Sequence, residues 1–434
     1  MTMTELEQHI RQTPLIDTHE HLLKEEEYLS RPHDILCDLF NNYVTADLVV
    51  AGAQDEAVKR LVDPANPDIS SRFLAVRDAW ERCRNTGYGE AVQIIASRLY
   101  GIDELTPAKL IEANDRAHFT HTAGARLKLL RDEANLDHVQ IDDFRWACEP
   151  DESGPSFFLY DISWQGFCAG YVEPQMLLEA VGVEVKHIAS LKEAMAALFA
   201  KWAPCAIAVK SQHAYQRTLY WEERTDSAAE KVLAKALAGK SITAKERLLL
   251  GDWCTARGVE LAGEHNLPFK IHTGYYAGYG YMRTDRINAG HLCGLLAKYP
   301  QTRFVLMHIA YPYSDEIAAL AKHYPNAYID LCWAWSIDPY SACDFVRRMI
   351  HAAPANKLFA FGGDSWIPSA SLAYSLQARW WMTHALQSEI KEGFLTESQA
   401  KALATRFMQT NQRDCFDIEG ARRAVASAMA VKGG

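Results

Sequence analysis

The sequence predicts a (β/α)8 barrel of the TIM-barrel class, with a helical insertion after its first strand. Three observations carry this. Eight short segments are apolar almost throughout, as strands buried on both faces are. Amphipathic stretches separate the last five of them, at spacings of roughly 30 to 60 residues, which is the rhythm of strand–helix repeats. Histidine, lysine or aspartate recurs at the C-terminal ends of several of these segments. A doubly wound sheet would satisfy the first two observations. The third selects the barrel, whose strand ends converge on one mouth and make neighbours of residues far apart in sequence.

In chain order the strands are expected at Leu15–His19, His138–Ile141, Ser156–Tyr160, Cys205–Lys210, Phe269–His272, Arg303–His308, Ala327–Leu331 and Leu358–Phe361. Helical periodicity marks Glu246–His265, Asn288–Tyr299, Tyr313–His323 and Ala342–Ala353 between the later strands. Residues 31–136 break the rhythm, with helical patterns at Ser71–Asn85, Tyr88–Tyr100 and Thr106–Phe119 and no clear strand. The expected division is therefore 1–30 (N-terminal helix and strand one), 31–136 (an insertion covering the mouth) and 137–434 (the remaining barrel and C-terminal helices). A separate N-terminal helical domain is the competing reading of 31–136.

A chain with 49% apolar and 23% charged residues has the composition of a folded enzyme, not of a disordered tail. Its formal charge of −10, without a long Lys/Arg run, argues against a nucleic-acid partner. Met1–Thr13 is polar, and no apolar run approaches the roughly 18 residues of a membrane span. The expected partner is a small-molecule substrate, the expected location cytoplasmic and the expected assembly a homo-oligomer. The ten cysteines form no C-x-x-C pair and several sit in apolar runs such as Leu331-Cys332-Trp333, so they read as buried reduced thiols.

Leu15-Ile16-Asp17-Thr18-His19-Glu20-His21 ends an apolar strand with two imidazoles at i and i+2, which can reach one metal from one face. Alone, that pattern is weak. It gains meaning from Lys210 in Ala206-Ile207-Ala208-Val209-Lys210, His272 in Phe269-Lys270-Ile271-His272, His308 in Phe304-Val305-Leu306-Met307-His308, and Asp364 in Phe361-Gly362-Gly363-Asp364, each at or just past a strand end. Scattered core histidines would not all select that position.

The order His-x-His, Lys, His, His, Asp on strands one, four, five, six and eight resembles the metal signature of the amidohydrolase superfamily. Over Phe269–Leu376 the chain is more closely similar to the amidohydrolase domain fused to glutamine-synthetase-like proteins, through His272-Thr273-Gly274, His308-Ile309-Ala310-Tyr311-Pro312-Tyr313, Tyr328-Ile329-Asp330-Leu331 and Gly363-Asp364-Ser365. The first 200 residues match only in His19, His21 and the general layout. Cys332-Trp333-Ala334-Trp335 gives a looser resemblance to uronate isomerases.

The resemblance implies that His19, His21 and Asp364 hold a divalent cation, with Zn2+ suited to the nitrogen-rich set and Mn2+ an option. His272 and His308 would hold a second metal, or one of them would polarise the substrate. Each residue has a plain structural alternative, a buried strand-end histidine or, for Asp364, a helix cap. Lys210 is read as a carbamate bridging two metals, as a contact to a substrate carboxylate, or as a strand-end lysine and no more. Arg217 offers a planar fork to a carboxylate, or a surface ion pair. Tyr275, in the Gly- and Tyr-rich loop 274–283, would line the pocket; Trp333, Trp335 and Trp366 would form an apolar wall, or pack beneath the insertion. The implied reaction is metal-assisted hydrolysis of a small carboxylate-bearing amide, lactone or related carbonyl compound. Asp364 would move the proton and His272 or His308 stabilise the oxyanion. Sugar-acid isomerisation and non-oxidative decarboxylation are the alternatives within the superfamily.

Overall fold

The structure, a computed structural model, describes residues 3–432. Eight parallel strands run in sequential order: β1 (Leu15–Glu20), β2 (Leu136–Ile141), β3 (Phe158–Ser163), β4 (Ala206–Ser211), β5 (Phe269–His272), β6 (Phe304–Met307), β7 (Ala327–Asp330) and β8 (Leu358–Phe359). The seam between β8 and β1 is closed by backbone bonds: Thr18 N–H donates to Phe361 O, Asp364 N–H to His19 O and His21 N–H to Ser365 O, at 3.1, 2.9 and 2.8 Å. These bonds lay Asp364 alongside His19 and His21. The barrel is a (β/α)8 barrel, as the strand pattern predicts.

All eight expected strands exist, with one displaced. The third runs Phe158–Ser163 and not Ser156–Tyr160, because the amides of Phe157 and Phe158 are engaged in a turn on Gly154 O. Its far end extends through Asp161, a buried carboxylate that Lys270 matches, and a charge inside a strand is what hid that end from an apolar-run reading.

The N-terminal end of the barrel is plugged by Ile16, Leu159, Ile207, Val305 and Phe359 together with Phe416, Ile418 and Val425 from the chain's last segment. Above this apolar floor lies a polar layer. Lys270 Nζ donates to Thr18 O at 2.7 Å and to both Asp161 oxygens at 2.9 Å, and Thr18 Oγ1 donates to Asp330 Oδ2 at 2.6 Å. Burial raises Asp161 to about 6 against the pull of Lys270, and raises Asp330 to about 7. Lys270 is two residues before His272 on β5, so the layer sits directly beneath the mouth.

Between β1 and β2 the described residues form helices and turns only, from Glu25–Ser30 to Leu129–Glu133. Side chains cap several of them: Asp34, Thr86 and Thr106 accept from the amides of Cys37, Gly89 and Lys109. The pattern expected as one helix over Ser71–Asn85 is two, Ile69–Leu74 and Arg77–Cys83, and the break turns Val76 into the core. The helix Gly87–Tyr100 packs on the long helix Pro368–Lys391, where Gln377 Nε2 donates to Gly87 O at 2.7 Å. The insertion thus shares its core with the barrel. All ten cysteines are free, eight buried and two half-buried. No helix of the described residues is long and apolar enough to cross a membrane.

Candidate active site and metal centre

The strand ends bring His19, His21, Lys210, His272, His308 and Asp364 together at the C-terminal mouth. Asp364 Oδ1 lies 3.2 Å from His19 Nε2 and 3.2 Å from His21 Nε2, while Oδ2 lies 3.6 Å from His308 Nε2. His19 Nε2 is also 3.3 Å from His21 Nε2 and 3.0 Å from Lys210 Nζ. Two sets of candidate ligand atoms result, His19–His21–Asp364 and His272–His308–Asp364, each with its atoms within 4.8 Å of one another, and Asp364 belongs to both.

Backbone carbonyls set which ring nitrogen faces inward, because a carbonyl can only accept. His21 Nδ1–H donates to Asp142 O at 2.6 Å and His308 Nδ1–H to Cys332 O at 2.9 Å, which leaves each Nε2 lone pair aimed at Asp364. His272 is turned the other way: Nε2–H donates to Tyr275 O at 2.9 Å and Nδ1 is left for the cluster. Burial, with the nearby Lys210, holds His19 well below its usual pKa; burial and the other histidine do the same for His272, and burial pulls His308 down to about 4. For His21 burial opposes the charged ring, but the Asp364 carboxylate outweighs it and the pKa rises. Burial also disfavours the Asp364 carboxylate, yet the adjoining His19 and His21 rings hold it well below the usual carboxylate range.

These residues fit a divalent cation. Imidazole lone pairs and an ionised carboxylate are crowded into a buried space, an arrangement that repels itself unless a positive ion accepts the electron pairs. His308 Nε2 is buried with no hydrogen-bond partner among the described residues. The carbonyl contacts behind His21 and His308 are the orienting contacts that metal-bound histidines require. The same geometry corrects one expectation: neutral His272 and His308 point lone pairs, not N–H groups, into the site, so they suit holding a cation and not donating to an oxyanion.

A second correction concerns Arg217. Its guanidinium is buried against Asp252 Oδ1 at 2.6 Å and donates to the carbonyls of Thr218, Cys168, Leu248 and Tyr220, so no N–H remains for a substrate. Of the tryptophans, Trp366 lines the cavity over the cluster, whereas Trp335 is packed away with Nε1–H donating to Ala360 O at 2.8 Å. Trp333 stands between them, its ring 5.5 Å from His308 and 4.4 Å from Tyr43 of the insertion. Tyr275 contributes its carbonyl to His272, and its ring lies 6.0 Å from Trp333.

Several residues here escaped the sequence reading. Tyr43 donates its hydroxyl to Asp364 O, which joins the insertion to the loop that carries Asp364. Asp17 Oδ1 accepts from Gly363 N–H at 3.3 Å and Glu20 Oε2 from Ser365 N–H, so two buried carboxylates bracket Asp364 from behind; burial raises both, Asp17 to about 7. Their position inside the His-x-His strand was the available signal. Phe144 stacks on His21, rings 4.6 Å apart and 8° from parallel, and Tyr215 lies 4.7 Å from His272. Nothing in the local sequence marks either.

The backbone at the mouth is strained. His308, Ile309, Ala310, Trp333, Asp364 and Phe144 all have φ between 47° and 65° without being glycine, a clustering typical of functional sites. Gly274, at φ 75°, touches this turn: a Cβ there would lie 2.6 Å from Ala310 C and Tyr311 N. Gly274→Ala is expected to destabilise the protein by about 1–3 kcal/mol. Thermal unfolding checks this, and an unchanged Tm would mean that the His308 turn yields freely.

Residues 221–403, which run from before β5 to beyond β8, match the sequence model of the family "Amidohydrolase". The resemblance read from the sequence is thus found by comparison. The chain is 22% identical to "Protein fluG" of Emericella nidulans over 96% of its own length and 47% of that protein, so it spans about half the length of this curated relative. Among solved structures it resembles the uronate isomerase of Thermotoga maritima (TM-score 0.77, 14% identity, 95% of this chain and 96% of that one). It is similar in the same degree to the glucuronate isomerase of Caulobacter crescentus (0.77, 16%, 94% and 92%). A Lactobacillus casei protein provisionally described as a metal-dependent hydrolase also superimposes (0.65, 16%, 97% and 99%). At these identities the structural likenesses establish the fold, not the reaction.

Proposed function

We propose that the chain is a metal-dependent hydrolase of a small amide, lactone or related carbonyl compound. The observation that carries this reading is the sharing of one ionised carboxylate, Asp364, between two sets of inward-facing imidazole nitrogens. His19, His21 and Asp364 would hold a first cation and His272 with His308 a second, Zn2+ being the ion such nitrogen-rich sites suit. The cation supplies Lewis acidity toward a carbonyl and a water. Asp364, kept ionised, is the group able to take a proton from the attacking water and return it to the leaving nitrogen or oxygen. Tyr43, Asp17 and Glu20 hold the Asp364 backbone in the conformation that aims its carboxylate. The insertion and the loop 274–283, linked by Tyr279 Oη donating to Asp55 Oδ2 at 2.8 Å, limit access of bulk water.

Hydrolysis is tested by running a turned-over substrate, from a panel of amides, lactones and uronates, in H2(18)O. The expected product carries one solvent oxygen beyond that of an enzyme-free control, with a bond cleaved or a ring opened. An unlabelled isomer of unchanged mass, or loss of CO2, would overturn hydrolysis in favour of the other chemistries this fold hosts.

A further inference from the structure

The cavity above the cluster, about 560 Å³, is lined by aromatic rings and neutral amides. Its one arginine, Arg31, is mostly exposed and bonded to Glu27 at 2.8 Å, and its one carboxylate is Asp364. With Arg217 committed to Asp252, no buried arginine or lysine stands in the cavity walls; the cationic groups, Lys210 and the cation proposed above, lie at its floor. A carboxylate held away from the metal-binding group would be desolvated against these walls without a partner, which is costly, so the walls select against one.

What the cavity does offer is flat apolar surface. Phe144 is 59% exposed although it is apolar, and it is held at φ 63° by its amide donating to Asp142 Oδ1 at 2.9 Å. One face of its ring covers His21; the ring also lines the cavity. Tyr215, beside His272, and Trp366, after β8, add two further rings, with Tyr215 fixed by Ala277 N–H donating to its hydroxyl at 2.9 Å. Two amides are unspent. Gln165 Oε1 is buried without a hydrogen-bond partner, and Gln212, 8% exposed, makes no side-chain hydrogen bond to the described residues. Both line the same cavity. A buried amide oxygen left unpaired, with a second uncommitted amide in the same lining, is a specificity element, because a ligand that pairs it recovers what desolvation costs.

We infer that the substrate is an uncharged, planar aromatic or conjugated amide or lactone, whose ring packs on Phe144, Tyr215 and Trp366 and whose polar ring substituent is bound by Gln165 and Gln212. This rests on the hydrolase reading above: water adds across the acyl–nitrogen or acyl–oxygen bond and that bond breaks, giving a carboxylic acid and an amine from an amide, or one ring-opened hydroxy acid from a lactone. It replaces the carboxylate-bearing substrate that the sequence suggested.

The test uses the full metal-loaded chain and probes that share one metal-binding head: benzohydroxamate, its ring-hydroxylated forms, acetohydroxamate and succinic monohydroxamate. Calorimetry is expected to show benzohydroxamate binding at least about tenfold more tightly than acetohydroxamate, with no gain from the succinyl carboxylate. Phe144→Ala should erase the aromatic preference and leave acetohydroxamate unchanged, and Gln212→Leu should weaken hydroxybenzohydroxamates while sparing benzohydroxamate. A merely structural role would shift every probe alike. Metal content is measured on the same samples. If metal is held but the succinyl probe binds best, or the benzo and aceto probes bind equally, the aromatic inference is overturned while the hydrolase reading stands. If no metal is held, the hydrolase reading fails, and the ranking is read instead from benzamide against acetamide by tryptophan fluorescence, where equal binding overturns the inference.

Discussion

Asp364→Asn is expected to lower kcat by more than about a hundredfold and to cost the protein much of its metal, the scale seen when a ligand and proton carrier is lost. The amide keeps the shape of the side chain but removes its charge and one acceptor. Oδ1 serves His19 and His21, and Oδ2 faces His308, so either orientation of the amide places an NH2 against imidazole nitrogens. Steady-state kinetics with metal analysis checks this, and the circular-dichroism spectrum separates ligand loss from unfolding. Full activity in this variant would remove Asp364 from the site.

Lys210→Ala is expected to reduce a native content of close to two metals per chain to one or none, with partial rescue by formate, acetate or propionate. Lys210 is fully buried at the end of β4, its Nζ is 3.0 Å from His19 Nε2, and no carboxylate pairs with it among the described residues. A buried cationic group so placed is costly. Conversion of the amine to a carbamate by CO2 would make the side chain an anion between two cations, and a short carboxylic acid can occupy the space the truncated side chain leaves. The measurement is metal per chain, native and variant, with and without the acids. One metal in the native protein, retained in the variant with only KM raised, would instead make Lys210 a substrate contact.

The barrel and its candidate ligand set were legible because both are written in local pattern. Strands buried on both faces demand unbroken apolar runs, so β1, β2 and β4–β8 could be read within a few residues, and a polar residue at the end of such a run must lie at the rim. His19, His21, Lys210, His272, His308 and Asp364 all satisfied that rule, and the structure brings them together. Where a charge lay inside a strand, as Asp161 does, the rule misplaced the boundary, since its partner Lys270 is more than a hundred residues away.

Which partner a side chain finally takes was not legible. Arg217 reads equally well as a substrate fork or an internal ion pair, and only the packing of Asp252 and four carbonyls around it decides. The direction of each imidazole depends on carbonyls of Asp142, Tyr275 and Cys332, which loops deliver and no periodicity records. Phe144, Gln165 and the pair Gln212 and Tyr215 come from three separate segments and share one cavity only after the chain has folded. The sequence by itself therefore determined the architecture and which candidate ligand residues converge at the mouth, because backbone hydrogen bonding and burial impose a repeating pattern on them. The tertiary structure alone decided the chemistry of the pocket walls, because that depends on competition among contacts between segments with no fixed spacing along the chain.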